Sequence, residues 1–559
     1  MPFCAHVYSL TSTISGKTGY DGLLYYLTAD LMFKMNKLPL FCLTLLMAAG
    51  YIPLSTADPH ATALISSQGA EQPYKLVVYN IENLFDADGF AIFNDYKPVD
   101  SDGNPQYTPA HVLTKIRNHA RLMARYNDGA GPDVIVFSEL ESDFTPLPGA
   151  ERYDHFEVLE TYSHLTLEEM LGAQFDYKIA DLPSEILLLK GFEEHGLSGY
   201  DLTVAYERDE HGIPEHVQKN VVFSRLPIIH EKTRSHPVED ARPILEVWLD
   251  VEGYELAVFA NHWKSRASDA EMEQIRVQNA TVLKERLDEI RTENPQVDFI
   301  LGGDFNSDYN QSHRYPYMEL TAVNDVLRSV GDERKVKQGN TDAVYNLWYE
   351  YDLSSRGSDT YRGYWGTLMQ IMISPGLYDY HGIQYVDNSF DVGRFPGKNI
   401  YANSGAPNRW YFFDDGGGYS DHLPVSMKFT VVEDDDPERT IVLREPGVND
   451  DDQWEPIPVD YAMPDRSDVI MPREYENRAI RSTEFFNRLL YVESELSDNR
   501  QVTVNGKTYD LYAPDPDLRR HISDMAERRE TIRFIGRLGM FRGNWQFVIG
   551  DERYINPVW

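Results

Sequence analysis

At 559 residues the chain is too long for one ordinary domain, and 42% apolar with 12% aromatic content excludes a disordered polymer. A formal charge of −37 excludes a protein that coats nucleic acid or an anionic membrane through a general basic surface, but it leaves room for a site made locally cationic by a metal. The two cysteines, Cys4 and Cys42, both fall before Asp58, so neither a disulfide framework nor a thiolate metal site is expected beyond it.

Residues 1–34 show no helical or strand period and read as an upstream over-call of the start. Met35-Asn36-Lys37 is a short basic segment, Leu38 to Tyr51 is apolar, and Ser55-Thr56-Ala57 supplies small residues before Asp58. That layout is a secretory signal peptide over 35–57, and it predicts an extracytoplasmic protein, periplasmic or secreted. The competing reading is a retained anchor. Pro39 and Gly50 interrupt the apolar run, and no second long run follows, so no stable membrane span is expected in the mature chain.

Leu76 to Tyr79 reads as a buried strand after Pro73, and residues 109–126 as an amphipathic helix with Ile116, Ala120, Leu122 and Met123 inward. Further strands are predicted at Asp133–Phe137, Val221–Phe223, Leu245–Leu249, Leu256–Ala260, Asp298–Leu301, Ile371–Ile373 and Val425–Phe429. A long helix is predicted over 270–291, with Ile275, Val282, Leu283, Leu287 and Ile290 on its apolar face. Strands and helices interleave without strict alternation, which suits a mixed α/β layered fold better than a doubly wound parallel sheet. Two polar, aromatic stretches without clear period, 143–219 and 308–360, read as insertions.

Acidic runs at Glu433–Pro437 and Asp450–Asp452 place a boundary near 433, leaving a linker and C-terminal extension over 433–559. There Asn505-Gly506 suits a tight hairpin turn inside Val502–Tyr509, and a helix follows from Asp517. Residues 515–545 carry Arg519, Arg520, Arg528, Arg529, Arg533, Arg537 and Arg542 against Asp515, Asp517, Asp524, Glu527 and Glu530. These arginines either contact a phosphate-rich substrate or pair with the protein's own acids.

Five polar signals recur at the ends of apolar strands, where rigid backbone can aim side chains into one site. Asn80 and Glu82 lie two apart, so on a strand they share a face and together suit a hard cation and a water. Glu139 follows five strand residues, where packing explains a carboxylate poorly and oxygen ligation of Mg²⁺, Mn²⁺ or Ca²⁺ explains it well. Asn261-His262-Trp263-Lys264 ends another strand, and His262 can donate to a phosphate oxygen. Gly302-Gly303-Asp304-Phe305-Asn306 is the most specific signal: the glycines allow close approach, and Asp304 and Asn306 alternate around Phe305. Asp421-His422 opens the last core strand with a carboxylate beside an imidazole acid or base.

In this order, with Asn220–Pro227 and Arg242-Pro243 between them, the motifs over about 75–432 resemble the endonuclease/exonuclease/phosphatase superfamily, which includes deoxyribonuclease I. The resemblance implies a four-layer α/β sandwich of two packed mixed sheets flanked by helices, here with a small C-terminal α+β extension. It implies Mg²⁺, with Mn²⁺ or Ca²⁺ as alternatives, held by Glu139 with Asn80 and Glu82 beside it, and Asp421 as a water-linked or second-metal carboxylate. Asp304 would orient or deprotonate the attacking water, Asn306 would contact the phosphate, and His262 and His422 would flank it. Asn261, Lys264 and Arg242 would bind substrate. The expected substrate is a phosphate ester, nucleic acid first. Phosphatases, sphingomyelinase-like lipid phosphodiesterases and a non-catalytic binding protein share the scaffold, and fold does not choose among them. One departure stands out. Met369 occupies the position where the family carries an Asp that orients the C-terminal histidine, and thioether cannot do that. Either a carboxylate from elsewhere replaces it, Asp359 being the nearest in sequence, or activity is weakened or lost.

The leader has a direct check. N-terminal sequencing of the native protein is expected to begin at Asp58, and a chain that begins at Met1 or retains 35–57 would show that the segment is not a cleaved leader.

Overall fold

The computed structural model describes residues 73–559, apart from 104, 144–153, 206, 209–210, 340, 433–453 and 542. The expected leader, both acidic runs and Arg542 lie outside the described residues.

Alternation along the strands builds the layers. Sheet I contains β1 (Tyr74–Leu84), β2 (Val134–Glu141), β3 (Asp201–Val204) and β4 (Gln218–Ser224), with β14 (Gly382–Tyr385), β15 (Asp391–Val392) and β16 (Val425–Val432). Sheet II contains β5 (Arg234–Val238), β6 (Ala241–Val251), β7 (Tyr254–His262) and β8 (Asp298–Asp304), with β9 (Ser329–Val330), β10 (Val344–Asn346) and β13 (Met369–Ile373). Leu76, Val78, Val134, Val136 and Val222 face inward from sheet I and meet Val247, Val258, Ile300 and Ile371 of sheet II. Their odd-register neighbours Val77, Tyr79, Ile135, Phe137 and Phe223 face outward. They pack on α1 (Pro109–Met123) and α2 (Ser184–Glu194) through Ile116, Ala120, Leu187 and Leu188. On the far side Ala257, Phe259, Phe299 and Leu301 pack on α3 (Ala270–Glu293) through Leu283, Leu287 and Ile290. The order is helix, sheet, sheet, helix: a four-layer sandwich whose period-two strands each serve two cores.

Strand directions bring the functional ends together. β1 and β2 are parallel, as are β7 and β8, so each pair ends side by side. β16 runs antiparallel to β1, which puts its leading residues at the same end. Gly302 is needed where the sheets approach, because a Cβ there would stand 2.8 Å from Val78 Cγ2.

Two expectations change. α2 was unpredicted inside 143–219 because nearly every residue is buried, so no polar face marks its period. On α3 the buried face runs through Glu273, Arg276 and Asn279, while Ile275 and Val282 are only partly buried. Arg276 has a reason to be inside: it pairs with Glu273 and donates to the carbonyls of Lys264, Ser265, Arg266 and Ala267, holding the loop that follows His262. Asp269 caps the helix by accepting from Glu271 N and Met272 N.

A hairpin, β11 (Asp359–Tyr361) with β12 (Tyr364–Gly366), precedes β13. The C-terminal unit is a six-stranded sheet of β17 (Val469–Ile470), β18 (Leu489–Glu495), β19 (Gln501–Val504), β20 (Lys507–Tyr512), β21 (Thr531–Phe541) and β22 (Asn544–Val548). Its longest helix, α4 (Pro516–Glu527), buries Leu518, Ile522, Met525 and Ala526. Its arginines pair internally: Arg520 with Asp517, Arg528 with Glu530, Arg529 with Asp498, and Arg533 with Glu493. Arg519 donates to the carbonyls of Ala513 and Pro514. Internal partners account for these five arginines, while Arg537 donates to Asn487 and lies over the Tyr401 ring. No described helix is long and apolar enough to cross a membrane.

Glu246 on β6 ties α3 to sheet II. Burial alone would raise its pKa, but hydrogen bonds from His236, Arg286 and Trp248 overcome this and hold it down to about 2. Its folded pKa lies below the unfolded value, so its contribution is complete above about pH 4.5 and is lost as pH falls toward 2. Glu246→Gln is expected to cost on the order of 2 kcal/mol at pH 7, allowing for solvent screening of the partners. In urea titrations the wild-type advantage should vanish near pH 2; an advantage that persists there would remove the pair from the account.

Candidate active site

The site forms where β1, β2, β7, β8 and the start of β16 converge. Local backbone departs from ideal strands here. Glu82, Asn83, Glu139 and Asn306 all have positive φ, and the β1–β2 and β2–β4 registers shift at Asn80–Leu84 and Phe137–Leu140. These bulges re-aim the strand-end side chains.

Asn80 is fully buried. Its amide donates to Glu139 Oε1 at 2.9 Å and to Asp304 Oδ2 at 3.1 Å, joining one sheet to the other. His262 Nε2 lies 3.6 Å from Glu139 Oε1 and 3.8 Å from Asp304 Oδ2, and His422 Nε2 lies 3.6 Å from Asp304 Oδ2. Asp421 Oδ1 is 3.8 Å from His422 Nε2. Asp304 Oδ1 accepts from Asn306 N at 2.9 Å, and the Asn306 amide donates to Trp263 O at 3.1 Å.

Electrostatics separate the two imidazoles. Burial, then the charges of Arg242 and His422, hold His262 well below the usual histidine range, so it is neutral. Burial also acts to lower His422, but Asp304, Asp421, Asp359 and Glu139 lift it to about 9, so it is cationic at neutral pH. Burial and then the Asp421 charge push Glu139 up to about 7. Burial opposes ionisation of Asp421 as well, but His422 and Arg409 more than offset it and lower its pKa.

Glu139, His262 and Asp304 each offer a ligand atom, all within 4.8 Å of one another. Two carboxylates sharing one amide, one of them with its pKa raised by burial and by the Asp421 charge, fit a divalent cation with oxygen preference. Asn80 contacts both of those ligands. Glu82 and Asp421 are outside that group. Contrary to the shared face expected for Asn80 and Glu82, the bulge turns the Glu82 carboxylate to Arg409 Nε (2.9 Å) and Trp410 N (2.9 Å). Asn261 also differs from expectation. Its side chain is buried between Phe259 O and Trp263 Nε1, where it supports the strand end rather than facing substrate. Arg242 donates to Gln218, and with Lys264 and Phe93 it lines an adjoining cleft of about 210 Å³.

Sequence reasoning missed Arg409 and Lys115. Lys115 sits fully buried on α1, donates to Glu82 O, and is lowered to about 7 by burial. It occupies what reads as a surface cation on a helix, and Arg409 lies in a stretch without strand or helix period, so neither carries a local signal.

Met369 is wholly buried between the sheets, opposite Asp304 in the β8–β13 register. Asp359 forms a β-bridge with His422 and contributes to its charge, while its own carboxyl, desolvated, rises to about 6. Its Oδ1 accepts from Ser358 Oγ and Leu368 N, both at 3.1 Å. Asp359 thus reaches His422 through backbone pairing and charge, while the carboxylates within 4 Å of His422 Nε2 are those of Asp304 and Asp421, and His422 Nδ1 has no hydrogen-bond partner among the described residues. Asp359→Asn is expected to lower turnover about tenfold to a hundredfold with an unchanged melting profile. Met369→Asp should not rescue it, and should cost about 3 kcal/mol by burying a second charge beside Asp304. Faster turnover in Met369→Asp would restore the missing-orienter account.

A sequence profile described as Endonuclease/Exonuclease/phosphatase family matches residues 216–431. No curated protein matches the chain. Solved structures with similarity include an endonuclease/exonuclease/phosphatase family protein from Bacteroides thetaiotaomicron, at 16% identity and TM-score 0.34, covering 65% of this chain and 100% of that one. The human Nocturnin catalytic domain with bound sulfate has 13% identity and TM-score 0.33, with 66% and 96% covered. D. rerio TDP2 complexed with a single-strand DNA product has 11% identity and TM-score 0.33, with 64% and 100% covered. The profile match falls on strands β4 to β16 and takes in His262, Asp304, Asn306, Asp421 and His422, so over residues 216–431 this chain is similar to the endonuclease/exonuclease/phosphatase family.

Proposed function

We propose that this chain is an exported, divalent-metal-dependent phosphoesterase that cleaves a phosphodiester by attack of water. The observation that carries the reading is one carboxylate, Asp304, with an imidazole on either side, His262 Nε2 at 3.8 Å and His422 Nε2 at 3.6 Å, and with Glu139 tied to it through Asn80. A site for in-line displacement needs an acceptor for the water's proton, a donor for the leaving oxygen, and positive charge around the phosphate.

Asp304, held by the Asn80 side chain and by the Asn306 backbone N–H, would orient or deprotonate the water. His422 holds a proton it can give to the departing oxygen, and its neighbours Asp421 and Asp359 sustain that charge. His262, neutral, can donate to a non-bridging phosphate oxygen without adding a cation. Mg²⁺, or Mn²⁺ or Ca²⁺ in its place, held by Glu139 and Asp304 beside Asn80, would neutralise charge that develops on the phosphate. Arg242 and Lys264 line the adjoining cleft and suit the anionic remainder of the substrate. With a formal charge of −37 on the whole chain, binding of a long polyanion would depend on these few cations and on the metal.

The test is hydrolysis of a small phosphodiester, a phosphomonoester, plasmid DNA and sphingomyelin, each with Mg²⁺, with Mn²⁺ and with chelator. Cleavage of a diester is expected, abolished by chelator and reduced about a thousandfold or more in Asp304→Ala. Preference for the monoester would reassign the protein as a phosphatase. A folded, metal-binding protein inactive on all four would point instead to a binding role on the same scaffold.

A further inference from the structure

The segment between β15 and β16 is gripped from two sides. Against α1, His111 Nε2 lies 3.0 Å from Phe412 O, Asn118 donates to Gly418 O at 2.9 Å, and the Lys115 ammonium stands 4.6 Å from the Trp410 ring centroid. Against the C-terminal unit, Phe486 meets the rings of Tyr411 and Phe413 at 4.5 and 4.9 Å, and Trp545 meets Phe413 edge-on at 4.8 Å. The Arg537 guanidinium lies 3.8 Å over Tyr401, and Asn403 donates to Tyr554 Oη at 3.1 Å. An aromatic cluster with a stacked guanidinium fixes backbone more firmly than scattered surface contacts do.

What this grip delivers is Arg409. Its Nε and Nη2 engage Glu82, Nη2 is 3.7 Å from Asp421 Oδ2, and Asp421 in turn neighbours His422. The side chain is nevertheless 56% exposed, and Nη1 makes no hydrogen bond among the described residues. A guanidinium that served only to neutralise Glu82 would have no need to keep one edge open beside the reacting groups. With one edge held by a buried carboxylate, the other is pre-oriented, and planar bidentate recognition of a phosphate is what guanidinium does well.

We propose that Arg409 binds a phosphate oxygen of the substrate, and that the C-terminal unit positions it through Phe486, Trp545 and Arg537. Glu82 is then the residue that aims Arg409. This assignment rests on the phosphoesterase reading for the nature of the anion.

The experiment uses the full chain. With the diester that wild type cleaves, Arg409→Ala is expected to raise KM about tenfold or more while kcat changes less, and Arg409→Lys to fall between. Trp545→Ala, far from the chemistry, should raise KM in the same sense. In an Arg409→Ala background Trp545→Ala should add nothing, because a positioning residue has no effect once the group it positions is gone. Melting curves identify any variant that fails to fold, and Arg409→Lys keeps the charge that Glu82 requires. Calorimetric titration with inorganic phosphate and Mg²⁺ gives a second readout independent of turnover, where Arg409→Ala should weaken phosphate about tenfold. If wild type cleaves nothing yet Arg409→Ala still weakens phosphate, the function falls and the anion site stands. An unchanged KM and unchanged phosphate affinity in Arg409→Ala would overturn the assignment, and an undiminished Trp545→Ala effect in that background would overturn the role of the C-terminal unit.

Discussion

The Asn80 carboxamide donates one hydrogen to Glu139, from its own sheet, and the other to Asp304, from the facing sheet. Most of the contact between the two sheets is made by apolar side chains, which set distance but not register, and Asn220 on β4 adds polar links to Pro243 O and Ala260 O. A buried amide between two carboxylates is directional, and leaving either acceptor unmet would cost about 1–3 kcal/mol. This bridge holds the ends of β1, β2 and β8 at one spacing, and the site's geometry depends on it. Ser420 donating to Asn80 O brings the start of β16 to the same point.

Around that bridge the protein concentrates charge that it does not fully cancel. Glu139, Asp304, Asp421 and Asp359 surround His422, which stays cationic as a result, while His262 stays neutral beside Arg242. The raised pKa of Glu139 reports the remaining electrostatic cost. Such unrelieved cost is what a divalent cation or a phosphate-bearing ligand would relieve, and it sets this end of the sandwich apart from the ion-paired surface elsewhere.

The C-terminal unit changes the reading of the 393–420 segment. Loops over a site are ordinarily its least ordered part. Here the segment is clamped between α1 and an aromatic cluster of a second sheet, and the Arg409 guanidinium enters the site from there. The extension therefore connects to the chemistry through backbone position, and of the arginine-rich run that stands out in its composition Arg537 takes part by stacking on Tyr401, while Arg529 and Arg533 are met by acids of the extension itself.

Much of the architecture was legible in residue order. Period-two apolar runs such as Leu76–Tyr79 and Leu256–Ala260 mark strands, and polar motifs at their ends mark where side chains converge, because strand direction constrains where a chain end can point. Asn80, Glu139, His262, Asp304 and His422 are adjacent in the structure as their motifs imply. What the order of residues did not carry was set by contacts distant in sequence. Glu82 turned to Arg409 because two positive-φ residues end its strand regularity, and Arg409 is 327 residues away. Asn261 turned inward because Trp263 supplied a buried donor. α2 was hidden because near-complete burial erases the amphipathic period, and Asp359 was only the nearest acid until the β11 hairpin paired its backbone with that of His422. Sequence by itself determined the layers, the strand ends and the chemistry available there, since these follow from local pattern. Tertiary structure alone decided which carboxylate faces which cation, since that is an energy of pairs brought together only by folding.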